Sequence, residues 1–331
     1  MHEGAILVGD AGGTNVRFAF AHLNGDRIRL SDIWKRPGAD YATFYAAIDA
    51  YLAEARPKLA GASFGFAGPV ADGRVQLLHR NWLVERDALK ARLGVSRVVV
   101  VNDFFAMARS APELADDDVH EIATGTADPH GSLAIGGPGT GFGVGVLRRL
   151  LDETPPITDG WVVVGGEGGH QAFAPQTEIE WKLATRLRET QGYVSNELVA
   201  SGSGFEASLE ALADVLGAKR RKLSQPEVIE QAKAGDRLAL EFCRIRAATV
   251  MTAMGNTALA CNATGGVFIA GGVSQRLEPW LKESAALDRF YSRGLRTGLM
   301  KPIPIRLIAS ETAPLIGSAK LWLDEQGRGW L

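Results

Sequence analysis

Apolar positions fall into short unbroken runs that end in glycine, and into longer stretches with helical spacing. Residues 5–8 are apolar without interruption, the pattern of a strand covered on both faces. Residues 17–22 and 27–34 read as further strands, the first of them paired with 5–8 across a glycine turn. In 41–55, Phe44, Ile48, Tyr51, Leu52 and Ala55 share one side of a helix. A small-residue strand over 61–66 stops at Gly68-Pro69, and a short helix over 87–93 stops at Gly94. The β-branched run 97–101 predicts a buried strand that delivers Asn102 and Asp103 at its carboxyl end, with a helix following through Met107.

The acidic stretch at 116–118 suggests a boundary. Beyond it, a strand at 132–135 enters the glycine-rich turn 136–143, and 144–150 continues as a strand. This repeats the opening design of strand, glycine turn with a threonine, strand, and it implies two related halves. Helices are expected over 177–189, over 205–216 and through 224–260, the last broken near Gly235. A strand over 266–270 runs into Gly271-Gly272, 306–308 is another strand, and 313–322 is a final helix. Strands alternating with helices define an α/β protein, in which ligands gather at the carboxyl ends of strands.

Length and composition narrow the class. At 331 residues the chain exceeds the size at which one core keeps growing, so two domains are expected. Its 46% hydrophobic and 22% charged residues are those of an ordinary globular enzyme. A net charge of −2 gives no footprint for nucleic acid or a membrane surface. No apolar stretch approaches the roughly 20 residues that span a bilayer. Asp10 interrupts the first apolar segment too early for a signal peptide. Two cysteines, Cys243 and Cys261, form neither a disulfide framework nor a metal motif, which fits a reducing cytoplasm. The 39 glycines cluster in loops, as where a backbone approaches phosphates or sugars closely.

Three stretches carry candidate chemistry. In Gly9-Asp10-Ala11-Gly12-Gly13-Thr14-Asn15, glycines let the backbone approach an anion, and Thr14 and Asn15 offer donors. An acid beside a phosphate cradle makes sense when a metal ion lies between them, yet Gly-Gly is also an ordinary hairpin turn. Asp103, in its Asn-Asp-Phe-Phe setting, reads equally as a general base raised by apolar neighbours and as a helix N-cap. In Gly165-Gly166-Glu167-Gly168-Gly169-His170, four glycines free one acid and one imidazole to meet a small polar ligand; a structural histidine is the alternative. The 136–143 loop has the glycines of a phosphate cradle but lacks the Lys-Ser/Thr ending of a P-loop and the βαβ setting of a dinucleotide fingerprint. Gly271-Gly272 either borders a nucleotide or makes a tight strand–helix turn.

In this order these blocks resemble the sugar kinases of the actin-like ATPase superfamily, and more closely the bacterial glucokinase family of the non-ROK type. The residues carrying the resemblance are 9–15, Asn102-Asp103-Phe104, 137–143, 165–170 with Phe173-Ala174-Pro175, Val194-Ser195-Asn196-Glu197 with Ser201-Gly202, and Gly271-Gly272-Val273. The resemblance spans roughly residues 5–320. It implies two ribonuclease-H-like lobes with an interlobe cleft: a small lobe of 1–115 plus 311–331, and a large lobe of 116–310. It implies transfer of the ATP γ-phosphoryl to the 6-hydroxyl of glucose, feeding glycolysis. Asp103 would be the general base, and Asn102, Glu167, His170 and Glu197 would hold the sugar. Asp10 would face magnesium through the nucleotide. Gly12, Gly13, Thr14 and Asn15 would form one phosphate cradle, Gly139, Thr140 and Gly141 the second, and Gly271 and Gly272 would lie near adenosine. A homodimer is implied.

Departures from the family pattern are also informative. Where related kinases carry Thr-Asn ahead of the Trp of a sugar-lobe loop, this chain has Leu78 and His79 ahead of Trp82. The cysteine-rich zinc motif of ROK proteins is missing, so no structural zinc is expected. Kinases for mannose, fructose or an amino sugar have nearly the same site. A sugar-sensing regulator would need a DNA-binding segment ahead of Asp10, and an actin-like ATPase would leave Glu167, His170 and Glu197 without a purpose.

Overall fold

The computed structural model describes residues 4–12, 14–24, 27–55, 57–77, 80–149 and 160–327. The chain divides into two compact units. The first comprises Met1–Asp118, Arg149–Val164 and Ser310–Leu331; the second comprises Val119–Arg148 and Gly165–Ala309.

In the first unit the chain runs through β1 (Ala5–Ala11), β2 (Asn15–Asn24), β3 (Arg27–Pro37), α1 (Phe44–Glu54), β4 (Leu59–Phe66), the short strands β5 (Val70–Ala71), β6 (Arg74–Leu77) and β7 (Trp82–Glu85), α2 (Arg86–Leu93), β8 (Val98–Asn102) and α3 (Asp103–Ser110). The main sheet has the order β3-β2-β1-β4-β8, and β5-β6-β7 form a separate small sheet. β1 is antiparallel to β2 and parallel to β4, which is parallel to β8. Every residue of β1 is buried, because both sheet faces are covered. Leu7 joins Phe18, Phe20, Phe44, Tyr51 and Phe64 on one face; Ile6 and Val8 join Leu315, Ala319 and Trp322 on the other.

The second unit contains β9 (Val119–Ala123), β10 (Leu133–Pro138) and β11 (Phe142–Arg149). β12 (Trp161–Gly166) is the strand along which the chain re-enters it. Then come α4 (Glu178–Gln191), α5 (Asn196–Ala200), α6 (Phe205–Val215), α7 (Gln225–Lys233), α8 (Arg237–Cys261), β13 (Gly266–Ile269), α9 (Gly272–Arg276), α10 (Glu278–Leu281), α11 (Ser284–Tyr291), α12 (Thr297–Met300) and β14 (Ile305–Ile308). Its sheet includes β11-β10-β13-β14-β9 in that order. β10 is antiparallel to β11 and parallel to β13, and β13 is parallel to β14. The series β11-β10-β13-β14 therefore matches β2-β1-β4-β8 in order and direction. The core is built around α8, which is apolar around most of its circumference: Phe242, Ile245, Val250, Met251 and Met254 are all buried. Asp236 caps its start by accepting from Ala239 N, just after Gly235 at φ +86° has broken the helical run.

The chain returns to the first unit as α13 (Ala313–Gly327). Two glycines let this helix come close. A Cβ at Gly61 on β4 would strike the Trp322 indole, and one at Gly317 would strike the Ala106 carbonyl on α3. The fully buried Arg109 of α3 donates through Nε and Nη2 to Asp324 at 2.6 and 3.2 Å, so α13 anchors the helix that Asp103 begins.

Candidate active site

In the first unit the strand ends bring two acids together. The β1–β2 register sets Asp10 opposite Arg17, and Gly12 N donates to Asn15 O at 3.1 Å to close the turn. Asp10 is 5% exposed, and its Oδ2 accepts from Arg17 Nη1 at 2.7 Å. Burial raises its pKa, and the guanidinium offsets part of that rise. Its other oxygen accepts no hydrogen bond among the described residues. Thr14 presents an exposed side chain while its carbonyl accepts from Gly38 N (3.0 Å) and Arg80 Nη2 (2.6 Å). Asn15 opens β2 with a half-buried side chain. Gly13, Leu78 and His79 lie outside the described residues.

At the end of β8 the helix cap is not Asp103 but the residue before it. Asn102 is the cap: its Oδ1 accepts from Phe104 N at 2.9 Å, and its Nδ2 donates to Gly68 O at 3.2 Å. Asp103 is the first helical residue. It accepts from Phe104 N at 2.8 Å through Oδ1, which leaves Oδ2 for another partner. Although the residue is only half-buried, desolvation and, second to it, the nearby Asp10 charge push its carboxyl from 3.8 to about 7. Gly65 makes room for this: it pairs with Asp10 in the parallel register, and a Cβ on it would lie 3.2 Å from Asp103 Cα.

In the second unit the 136–143 turn, the 167–170 turn and α5 converge. Gly137 at φ +154° abuts Ala270 O, and Gly271 at φ +93° abuts Pro138 O; neither position has space for a side chain. Gly139 and Gly272, in contrast, face open space: nothing would lie within 4 Å of a Cβ on either. Gly139 N donates to Gly141 O at 2.8 Å, Gly202 N to Gly139 O at 2.9 Å and Ser203 N to Thr140 O at 2.8 Å. Glu197 on α5 accepts from Phe142 N through Oε2 at 2.7 Å, and its Oε1 lies 3.8 Å from His170 Nε2. Gly141 leaves room for that carboxylate: a Cβ there would stand 2.9 Å from Oε2. Glu167 and His170 are exposed, held in one short turn by the His170 N to Glu167 O bond at 3.0 Å. The Glu167 carboxylate has no partner among the described residues. The neighbouring Ala174 carbonyl is pinned by Arg289, whose guanidinium also grips the buried Glu180.

The first unit thus presents an acid pair at its strand ends, and the second presents glycine turns with open backbone beside an exposed carboxylate and imidazole. Sequence reading did not find Arg17 as the partner of Asp10. Its signal was the hairpin register: a turn centred between positions 13 and 14 pairs 10 with 17.

A raised strand-end acid beside glycine turns in a duplicated α/β fold defines a phosphoryl-transfer protein of the sugar-kinase class. The glucokinase family model matches residues 7–325, and the chain belongs to that family. A glucokinase of Caulobacter vibrioides is 37% identical over 336 residues, covering 99% of this chain and 98% of the relative. Among solved structures, a glucokinase from an Antarctic psychrotroph is 31% identical with a TM-score of 0.86, covering 96% of this chain and 98% of its own. A Balamuthia mandrillaris glucokinase in complex with glucose, 17% identical, shares the fold at a TM-score of 0.77 over 97% of this chain and 93% of its own.

Proposed function

We propose that the chain transfers the γ-phosphoryl of ATP to the 6-hydroxyl of glucose, with Asp103 as general base. The observation that carries this reading is the Asp103 carboxyl at about 7, at a strand end in a family of glucokinases. Deprotonated, its Oδ2 takes the proton of the attacking hydroxyl; a pKa near 7 balances basicity against the fraction ionised at neutral pH. Asn102 orients neighbouring hydroxyls, and Glu167, His170 and Glu197 are the further sugar ligands. We assign the two units to the two lobes that the family resemblance implies; Arg149–Val164, expected in the large lobe, groups with the first unit.

The open backbone at Gly139 and Gly272 suits phosphate oxygens and adenosine. Gly12, Gly13, Thr14, Asn15, Thr140, Gly141 and Gly271 complete the cradles. A cavity of about 550 Å³ beside α9, lined by Ile229, Gln275, Arg276 and Pro279 among others, has the size for a base and ribose. Among the described residues no group of three or more His, Cys, Asp or Glu is placed to hold a metal ion. Magnesium would arrive with the nucleotide and neutralise phosphate charge, and Asp10 is the residue that would hold it through water. We place the protein in the cytoplasm as a homodimer. No helix in the described residues is long and apolar enough to cross a membrane.

The test is ADP release from Mg-ATP with glucose, mannose, fructose, N-acetylglucosamine or no sugar. Stimulation by glucose alone is expected. Preference for another hexose moves the specificity and keeps the mechanism, whereas no stimulation by any sugar rejects the reading.

A further inference from the structure

We propose that Arg246 is a positioning residue that ties the sugar-holding Glu197 to the phosphate-holding turn 139–142, an inference that rests on the functional reading above. Arg246 lies in the middle of α8 and is 2% exposed. Its Nε and Nη2 donate to Ala200 O at 3.1 and 2.8 Å, and Nη2 also reaches Ser201 O at 3.2 Å. These are carbonyls at the end of α5, which a short helix leaves without intrahelical partners. No carboxylate pairs with this arginine among the described residues. Phe205 and Phe242 lie 5.5 and 5.2 Å from it, ring faces in place of an anion. Burial pulls its pKa down to about 10, so it is still charged at neutral pH.

A buried cation without a counter-ion destabilises a fold, and an apolar helix face would pack here without it. Its placement explains its presence. The segment it grips, Glu197 through Gly204, is joined to the glycine turn by three bonds: Gly202 N to Gly139 O, Ser203 N to Thr140 O, and Phe142 N to Glu197 Oε2. Inside the segment, Ser201 Oγ bonds Ser203 Oγ at 2.8 Å and accepts from Gly204 N at 3.4 Å. One guanidinium therefore sets the height of the strip from which Glu197 reaches sugar and against which Gly139 and Thr140 rest. Ordering this strip by either ligand favours the other.

The test compares Arg246→Lys and Arg246→Met with Leu187→Ala, a cavity variant of the same core on α4. KM for glucose and for Mg-ATP are expected to rise together, about tenfold in Arg246→Met and less in Arg246→Lys, which keeps the charge and an N–H donor group without the fork that spans both carbonyls. The Asp103 inflection in the pH profile stays in place. Leu187→Ala is expected to lower Tm with both KM values unchanged. Unchanged KM values in a folded Arg246→Met protein overturn the role. Amide exchange in the wild-type protein does not depend on any variant folding. Glucose alone is expected to slow exchange at Gly202 and Ser203 as well as Phe142, and protection confined to Phe142 overturns the proposal. Wild-type turnover separates this from the larger reading: no glucose-dependent ADP release rejects the function itself, whereas normal turnover with silent variants rejects only the role of Arg246.

Discussion

The Asp103 carboxyl has two opposite effects at the scale of the single residue. If its ionised form is the base, as proposed, kcat/KM should rise tenfold per pH unit below about 7 and level above it. A profile that inflects near 4 instead would remove Asp103 from that role. The same shift weakens the fold. The folded carboxyl, at about 7, holds its proton where the unfolded one, at 3.8, has lost it, so stability falls as pH rises from about 4 to 7. The gap corresponds to at most about 4 kcal/mol, and to less for a half-buried group. Asp103→Asn should therefore cut kcat by about 10³-fold or more, keep glucose affinity within a few-fold, and raise stability at pH 8 by about 1–3 kcal/mol. Denaturant melts at pH 5 and 8 check the last point: the gain should shrink at the lower pH. Glu167→Gln should instead weaken glucose binding by about tenfold with a smaller effect on kcat, read by titration calorimetry.

Both acids stood out in the sequence because each follows an unbroken apolar run, which places it at a strand end. Their electrostatics did not. The shift at Asp103 comes first from burial and then from Asp10, 93 positions earlier, and the offset at Asp10 depends on Arg17; these are facts of depth of burial and sheet register.

At the scale of elements, α3 and α13 act as a pair. Asp324→Ala would leave Arg109 buried with its principal partner gone, and is expected to destabilise the first unit by about 3 kcal/mol. The joint Arg109→Met, Asp324→Leu replacement should recover most of that loss, which thermal melts of the three variants would show. Gly317→Ala should also lower Tm, since its Cβ meets the Ala106 backbone, which no rotamer change relieves. The long elements were legible beforehand. α1, α4, α6, α7 and α8 carry helical periodicity, the break at Gly235 lies between α7 and α8, and β1, β4, β8, β10 and β13 are continuous apolar runs. The strands β5, β6 and β7, of two to four residues, escaped notice, as did α9, α10 and α12 of four to five. Such elements are too short for any period to repeat; tertiary contacts rather than local pattern define them.

For the whole molecule, the repeated design of strand, glycine turn and strand proved the most informative pattern. In each unit it is the opening hairpin of the same strand series, β2-β1-β4-β8 and β11-β10-β13-β14. The two hairpins share almost no residues beyond glycine and threonine, so only their order revealed the kinship. Periodicity alone did not divide the chain: the return of 311–331 to the first lobe was expected only from the family resemblance, and its physical cause is Trp322 and Asp324 finding partners on β4 and α3. Ligand linkage gives a prediction at this scale. Glucose at 100 times its Kd should add about 2.7 kcal/mol to the stability of whatever part of the molecule binds it, and Mg-nucleotide should add further. Calorimetric scans with each ligand alone and with both would show these increments, and no shift with glucose would contradict the assigned sugar site.

The helix that completes the first unit is also the last part of that unit to leave the ribosome. During synthesis β1–β4, β8 and α3 emerge with one sheet face uncovered and Arg109 without Asp324, and they stay so while nearly two hundred further residues are made. The nascent chain therefore exposes Ile6, Val8 and Val99 until α13 has been made. The second unit, nearly complete when Ala309 emerges, is the one free to fold first.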